Sequence, residues 1–360
     1  MNKKLVALAV AGLLAAPLAQ AQTANVTLYG RLNIDAEVVN GKQTNGQNPN
    51  VYRVNTNSSR FGIRGTESLG GGLNAIFQIE NSVNPVNSGG TIAGRETFVG
   101  LQGGWGTVKV GRFLAPYDDI HPIFGNVPTL TTSILSTATL WAQGAYNATS
   151  GGFDDRVQQS VRYDSPVMGG FNFSGQIGGY PTSTAPHGTV YSVGGFYNNG
   201  PFQAGMAYES HVSTRIPGRM DQAFSIAGAW NFGIVRVAGV WETKKYEQLV
   251  GDLENDVWGV SLTGNLGPGQ AYLGYIAVND GKGSAAAGTR VGNAGIGNDT
   301  GAAQWVVSYT YPLSKRTLTY AGYVKIVNQT NANYTFNINP YAVANGGDPG
   351  GLVAGMVHFF

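Results

Sequence analysis

After Leu18 the chain has no run of about 18 apolar residues, the length a spanning helix needs, yet apolar and polar residues alternate with period two along most of it. Val26, Leu28, Gly30, Leu32 and Ile34 take turns with Thr27, Tyr29, Arg31, Asn33 and Asp35. Leu73, Ala75, Phe77 and Ile79 alternate with Asn74, Gln78 and Glu80, and Phe171, Phe173 and Ile177 with Asn172, Ser174 and Gln176. Similar stretches begin near Phe202, Phe224, Val235, Val257, Ala271, Trp305 and Leu318. Successive side chains of a strand point to opposite faces, so each segment reads as a strand with one greasy and one polar face. A soluble sandwich gives the same alternation, but its strands run mostly about 5 to 6 residues. Many of these segments run about 9 to 11, which crosses a bilayer when tilted. Only helices and closed barrels satisfy every backbone amide in lipid, so a membrane protein with this pattern must be a barrel.

The connections take turns in length. Tight Gly, Pro or Asn turns fall at Ser68–Gly71, Gly103–Gly106, Pro166–Gly169, Asn198–Pro201, Asn231–Gly233, Leu266–Gly269 and Pro312–Lys315. Longer polar segments fall near 37–57, 81–94, 113–155, 181–187, 210–221, 243–254, 280–301 and 329–349. Eight long and seven short connections join sixteen strands, the layout of an outer-membrane barrel with long loops outside and tight turns on the periplasmic side.

Lys3 and Lys4, the apolar run from Leu5 to Leu18 and the small-residue pattern Ala19, Gln20, Ala21 form an export signal, so residues 1–21 are expected to be removed and 22–360 to form a single barrel domain. Loss of the two lysines cancels the formal +2 and leaves a neutral mature chain, which points to no nucleic-acid partner. The chain has no cysteine, so the exported fold is closed without disulfides. Tyr309 and Tyr311, Tyr272 and Tyr275, and Phe359 and Phe360 gather at strand ends, as interfacial girdles require, though β-propensity alone also favours aromatics there. In the last segment Leu352, Ala354, Met356 and Phe360 alternate with the equally apolar Val353, Gly355, Val357 and Phe359, so hydrophobicity does not set its register.

Ordered blocks along the chain resemble the general porins of β-proteobacteria. They are Val26 to Gly30, Ser59 to Glu67 followed by Leu69 to Leu73, and Val99 to Leu101 leading to Gly106 to Val108 with Gly111 and Arg112. Arg156, Val157, Ser160, Val161 and Tyr163 to Pro166 follow, then Tyr309 to Thr317 and the terminal Phe360. The resemblance implies an all-β, sixteen-stranded antiparallel transmembrane barrel with a long third loop folded into the pore, in the outer membrane of a Gram-negative bacterium. It implies a water-filled channel for passive diffusion of small hydrophilic solutes and ions. It also implies a homotrimer in contact with membrane lipid and lipopolysaccharide, assembled by machinery that reads Phe360.

The long segment 113–155 is then the constriction loop, with Asp118 and Asp119 near the narrow point. With Phe61 and Ile63 facing lipid, Arg60 and Arg64 face the lumen; with Val157, Val161 and Tyr163 facing lipid, so do Arg156 and Arg162. The same parity turns Arg31, Lys109 and Lys325 inward, since a Lys or Arg facing lipid near the midplane costs about 2–4 kcal/mol. Arg60 and Arg156 match positions where related porins carry a basic ladder. Parity places Arg95 with the outward Thr97, Val99 and Leu101, and turns Glu96 into the pore, weakening the anion preference that the arginines give to a slight one.

His121, His187, His211 and His358 are scattered, and H-E-x-x-H and G-x-S-x-G motifs are missing, so neither an enzyme, a metal nor a cofactor is expected. The glycines Gly292, Gly295, Gly297 and Gly301 lack the lysine of a phosphate loop and read as a flexible external loop. Asp252, Glu254 and Asp256 are acidic but not spaced as an EF-hand. The alternative function is a substrate-specific channel with Tyr117, Trp141 and Tyr146 as an aromatic path; a purely structural barrel or adhesin is a further class. Mass spectrometry of the exported protein is expected to give a chain that starts at Gln22, and an intact residue 1–21 segment would refute the export signal.

Overall fold

The computed structural model describes residues 25–126, 133–138, 140–144, 146, 151–180 and 188–360. The expected leader, the segment 181–187 and His187 lie outside them. The first strands are β1 (Asn25–Asn40), β2 in two pieces (Val51–Thr56 and Arg60–Gly70), β3 (Leu73–Val83), β4 (Thr97–Gly103) and β5 (Gly106–Leu114). The wall continues through β6 (Arg156–Asp164), β7 (Phe171–Tyr180), β8 (Gly188–Asn199), β9 (Phe202–Val212), β10 (Met220–Asn231) and β11 (Val235–Glu247). It ends with β12 (Asp252–Leu266), β13 (Gly269–Val278), β14 (Ala302–Pro312), β15 (Thr317–Asn328) and β16 (Gly350–Phe359).

Each strand pairs antiparallel with its sequence neighbours, and β1 also pairs with β16 from Arg31↔Phe359 to Asn40↔Gly350. On its other edge β1 pairs with β2, Asn25–Arg31 against Thr66–Arg60 and Ile34–Val39 against Thr56–Val51. The sixteen strands therefore close on themselves and leave no edge.

The two faces follow the alternation. Val26, Leu28, Val99, Val193, Val260 and Leu352 lie on the outside, while Asn33, Asp35, Glu37, Ser192, Ser225 and Ser261 are buried on the inside. This inversion of a soluble fold, apolar out and polar in, is what a bilayer requires. Aromatic rings of neighbouring strands touch at two levels. Near the tight turns Phe171, Tyr197, Phe202, Trp230 and Phe232 form a row, and nearer the long loops Trp258, Tyr275 and Trp305 form another. Tyr272 is not in either row: it is 1% exposed and belongs to the inner face.

The strands overrun some expected loops. Pairing continues to Glu247↔Asp252, so the segment 243–254 shrinks to a four-residue turn, residues 248–251. There both faces are polar, as in Lys244, Lys245 and Glu254, and hydropathy cannot mark a strand that has left the lipid. Lys245 pairs with Asp252 (2.7 Å) and Glu254 (3.2 Å), and Lys282 with Asp256 (2.8 Å), so lysines already occupy these acids. The glycine-rich segment forms a small hairpin, Arg290–Val291 with Ala294–Gly295, and the Asp280 carboxylate accepts the backbone N–H groups of Asp299, Thr300 and Gly301.

Close approach sets the register of β16. A Cβ on Gly355 would stand 2.5 Å from the Tyr320 ring and 2.7 Å from Asp35 Cβ, so only glycine lets the inner-face Tyr320 cross this strand. Val353 and Val357 then point in, and Leu352 and Met356 out. At the seam Gly30 N–H donates to Phe360 O (3.0 Å) and Phe360 N–H to Gly30 O (3.1 Å), with the Phe360 ring over Gly30. A Cβ on Gly30 would come within 2.5 Å of that ring and 2.6 Å of Arg60 O. Gly30→Val is therefore expected to lower barrel stability by roughly 1–3 kcal/mol or more and to reduce the heat-modifiable folded band on gels. Gly195→Ala, on an open outer site with nothing within 4 Å, should stay within about 0.5 kcal/mol of wild type.

Candidate functional site

Strand β5 ends at Leu114 and the chain turns inward through a 3-10 turn, Pro116–Ile120, and a helical turn, His121–Phe124. This loop is tethered to the wall at five strands. Tyr117 N–H donates to Ser192 Oγ (3.1 Å), Trp141 Nε1 to Ser225 Oγ (3.2 Å), and the Tyr117 hydroxyl to Glu242. Ser261 Oγ donates to Phe124 O (2.7 Å) and Gln304 Nε2 to Ser136 O (2.8 Å). Each wall residue is the sequence neighbour of an outward one, namely Val193, Ile226, Trp241, Val260 and Trp305. The loop therefore packs against the inside of the barrel.

Its strongest anchor is charged. Glu242 and Lys244 are fully buried and paired at 2.5 Å; Glu242 accepts the Ala142 N–H (2.9 Å) and Lys244 Nζ donates to Leu140 O (3.1 Å). Such a pair persists in a buried place only with further hydrogen bonds on both partners, which the loop supplies. Glu242 was legible from parity, since it alternates with the outward Val237 and Trp241, whereas Lys244 lies where both faces are polar and alternation gives no signal. Tyr117 (0% exposed) and Trp141 (1%) are spent on this packing and do not form an aromatic path along the pore.

The expected charges fall into two groups. Arg31, Arg60 and Arg95 surround Glu80: Arg95 Nε stands 2.6 Å and Arg60 Nε 3.4 Å from its carboxylate, Tyr29 hydroxyl donates to it (3.1 Å), and Arg31 donates to Ser58 O. Arg156 is a charged neighbour of Arg95, Glu96 of Tyr29, and Arg64 lies over the Tyr29 ring at 4.9 Å. In the second group Lys109 pairs with Asp164 (3.0 Å), and Arg162 bridges Asp164 (2.7 Å) and the loop residue Asp119 (2.5 Å).

Four expectations change. Arg95 is not outward, because the chain leaves the strand before Thr97 and its guanidinium turns to Glu80. Val157 is 1% exposed and does not face lipid. Gln159 has φ 47° at a bulge opposite Gly111 and Phe113, which switches the faces before it. Parity therefore no longer places Arg156; its proximity to Arg95 does. Lys325 shares the outward face of Tyr323 and Val327, and its stem reaches up so that Nζ donates to Asp348 O (2.8 Å) in the last loop. Asp118, in the first turn of the loop, is only 5% exposed and so is buried in the loop packing. Burial, reinforced by the Asp154 and Glu209 carboxylates, pushes its carboxyl well above the usual range.

A family model described as Gram-negative porin matches residues 6–331. The chain is 28% identical over 353 residues to outer membrane porin protein 32 of Delftia acidovorans, covering 91% of this chain and 90% of the relative. It is 31% identical over 223 residues to major outer membrane protein P.IB of Neisseria meningitidis serogroup B, covering 59% and 60%. Among solved structures, the anion-selective porin from Comamonas acidovorans superposes with a TM-score of 0.74 at 24% identity, over 94% of this chain and all of that one. A closed sixteen-stranded barrel, greasy outside and polar inside, with a family match across nearly its whole length, identifies the chain: it belongs to the Gram-negative porin family of the outer membrane.

Proposed function

We propose that this porin is a general diffusion channel with a weak anion preference, set by the arginines around Glu80. Arg31, Arg60, Arg95 and Arg156 outnumber the acids beside them, Glu80 and Glu96, whereas Lys109 and Arg162 are balanced by Asp119 and Asp164. A surplus of guanidinium on one wall concentrates anions there, and exposed charges act over about 10 Å at 0.1 M salt. The name of the Comamonas acidovorans porin agrees with this reading, which stands on the charges of this chain. The burial of Tyr117 and Trp141 in the loop packing counts against a substrate-specific aromatic path. Non-enzymatic function, removal of residues 1–21, a homotrimer in lipid and lipopolysaccharide, and recognition of Phe360 by the assembly machinery belong to the same reading, supported by the porin resemblance.

Planar-bilayer recording tests it. Wild type is expected to show ohmic conductance and a zero-current potential of anionic sign in a dilute salt gradient, fading near 1 M as screening shortens to about 3 Å. The double change Arg31→Gln and Arg60→Gln should lower the anion-to-cation permeability ratio about two- to five-fold, the size of up to about 1 kcal/mol for a charge at close range in water. Arg162→Gln, in the balanced group, should change that ratio less while loosening the loop that Asp119 holds. Strong cation preference in wild type would overturn the arginine assignment, and a barrel without ohmic conductance would overturn the channel itself.

A further inference from the structure

Asp118, His121 and Asp154 bring one donor atom each to within 4.8 Å of one another at the neck of the third loop. Asp118 and His121 are three residues apart across the two consecutive helical turns, a spacing that puts both side chains on one face. Asp154 comes from the far end of the loop, two residues before β6, and its N–H donates to Gly144 O (3.0 Å). Asp118 is 5% and His121 8% exposed, and Asp154 is half-buried.

The protein satisfies this cluster only in part, and Asp118 and Asp154 share a side-chain hydrogen bond. Asp118 Oδ2 accepts the Ala115 N–H (3.2 Å), but Asp118 Oδ1 and His121 Nε2 are buried without a hydrogen-bond partner. The charged neighbours of Asp118 are the carboxylates of Asp154, Glu209 and Asp119, and the nearby Arg162 is already engaged by Asp119 and Asp164. Trp141 packs edge-on against the imidazole at 4.4 Å between centroids and holds the ring in place. A buried carboxyl oxygen and an imidazole nitrogen without partners are unfavourable, and a cation between them gives both a partner. Two carboxylate oxygens with one imidazole nitrogen suit a divalent transition metal such as Zn2+, whereas Ca2+ and Mg2+ take oxygen donors.

We propose that Asp118, His121 and Asp154 bind a divalent transition-metal cation that ties the entry of the constriction loop to its exit. With entry and exit joined, the segment between them closes on itself at its base, and the loop is held against the inner wall from its neck as well as from its Glu242–Lys244 anchor.

The test uses untagged full-length protein in detergent, stripped with chelator and titrated with ZnCl2, together with anomalous diffraction at the zinc edge from soaked crystals. One Zn2+ per chain is expected, with a peak between Asp118, His121 and Asp154. His121→Ala and Asp154→Asn should each weaken binding at least ten-fold while the heat-modifiable folded band is kept. Zn2+ binding unchanged in both variants, an anomalous peak only at another histidine, or displacement of Zn2+ by equimolar Ca2+ would overturn the site. If either variant fails to fold, the wild-type anomalous map alone decides, since presence or lack of that peak answers the question without a mutation.

Discussion

Every backbone amide in the bilayer must find a partner inside the protein, and the rest of this molecule depends on how that is met. β1 pairs on one edge with β16 and on the other with β2, so the sheet has no end. The seam is made by backbone groups of Gly30 and Phe360 and by a ring that lies where a side chain on residue 30 would be. Closure also decides the faces, because a closed sheet has one inside, and each strand can offer its polar residues only to it.

The interior polarity is put to structural use. Ser192, Ser225, Glu242, Ser261 and Gln304 meet a loop that brings its own hydroxyl, indole and backbone groups. A loop held by charge and hydrogen bonds on five strands resists displacement from the inner wall. The cost of burying Glu242 and Lys244 is offset by the loop backbone, so wall and loop stabilise each other.

Much of the barrel was legible because lipid imposes period two on the side chains. Phe171, Phe173, Ile177 and Leu28 point outward, and Arg31, Asn33 and Asp35 point inward, as alternation requires. Parity failed where the backbone broke step or left the membrane. A single bulge at Gln159 turned Val157 inward, the departure from the strand before Thr97 freed Arg95 to reach Glu80, and Lys325 used its long stem to escape the lipid while facing it. Strand ends such as Glu247 and Asp252 were hidden because alternation disappears where both faces are wet.

The candidate site divides in the same way. By itself the sequence determined the closed barrel, its two faces and the tight turns, because these follow from local spacing and from the cost of unpaired amides in lipid, whereas the reading of the third loop came from the porin resemblance. Only the tertiary structure decided which charges meet: Arg60 and Arg95 on Glu80, Arg162 between Asp119 and Asp164, Asp118 against Asp154. Residues far apart in the chain are brought together by strand register and by the path of a loop through space, and neither is written in the alternation of neighbouring side chains.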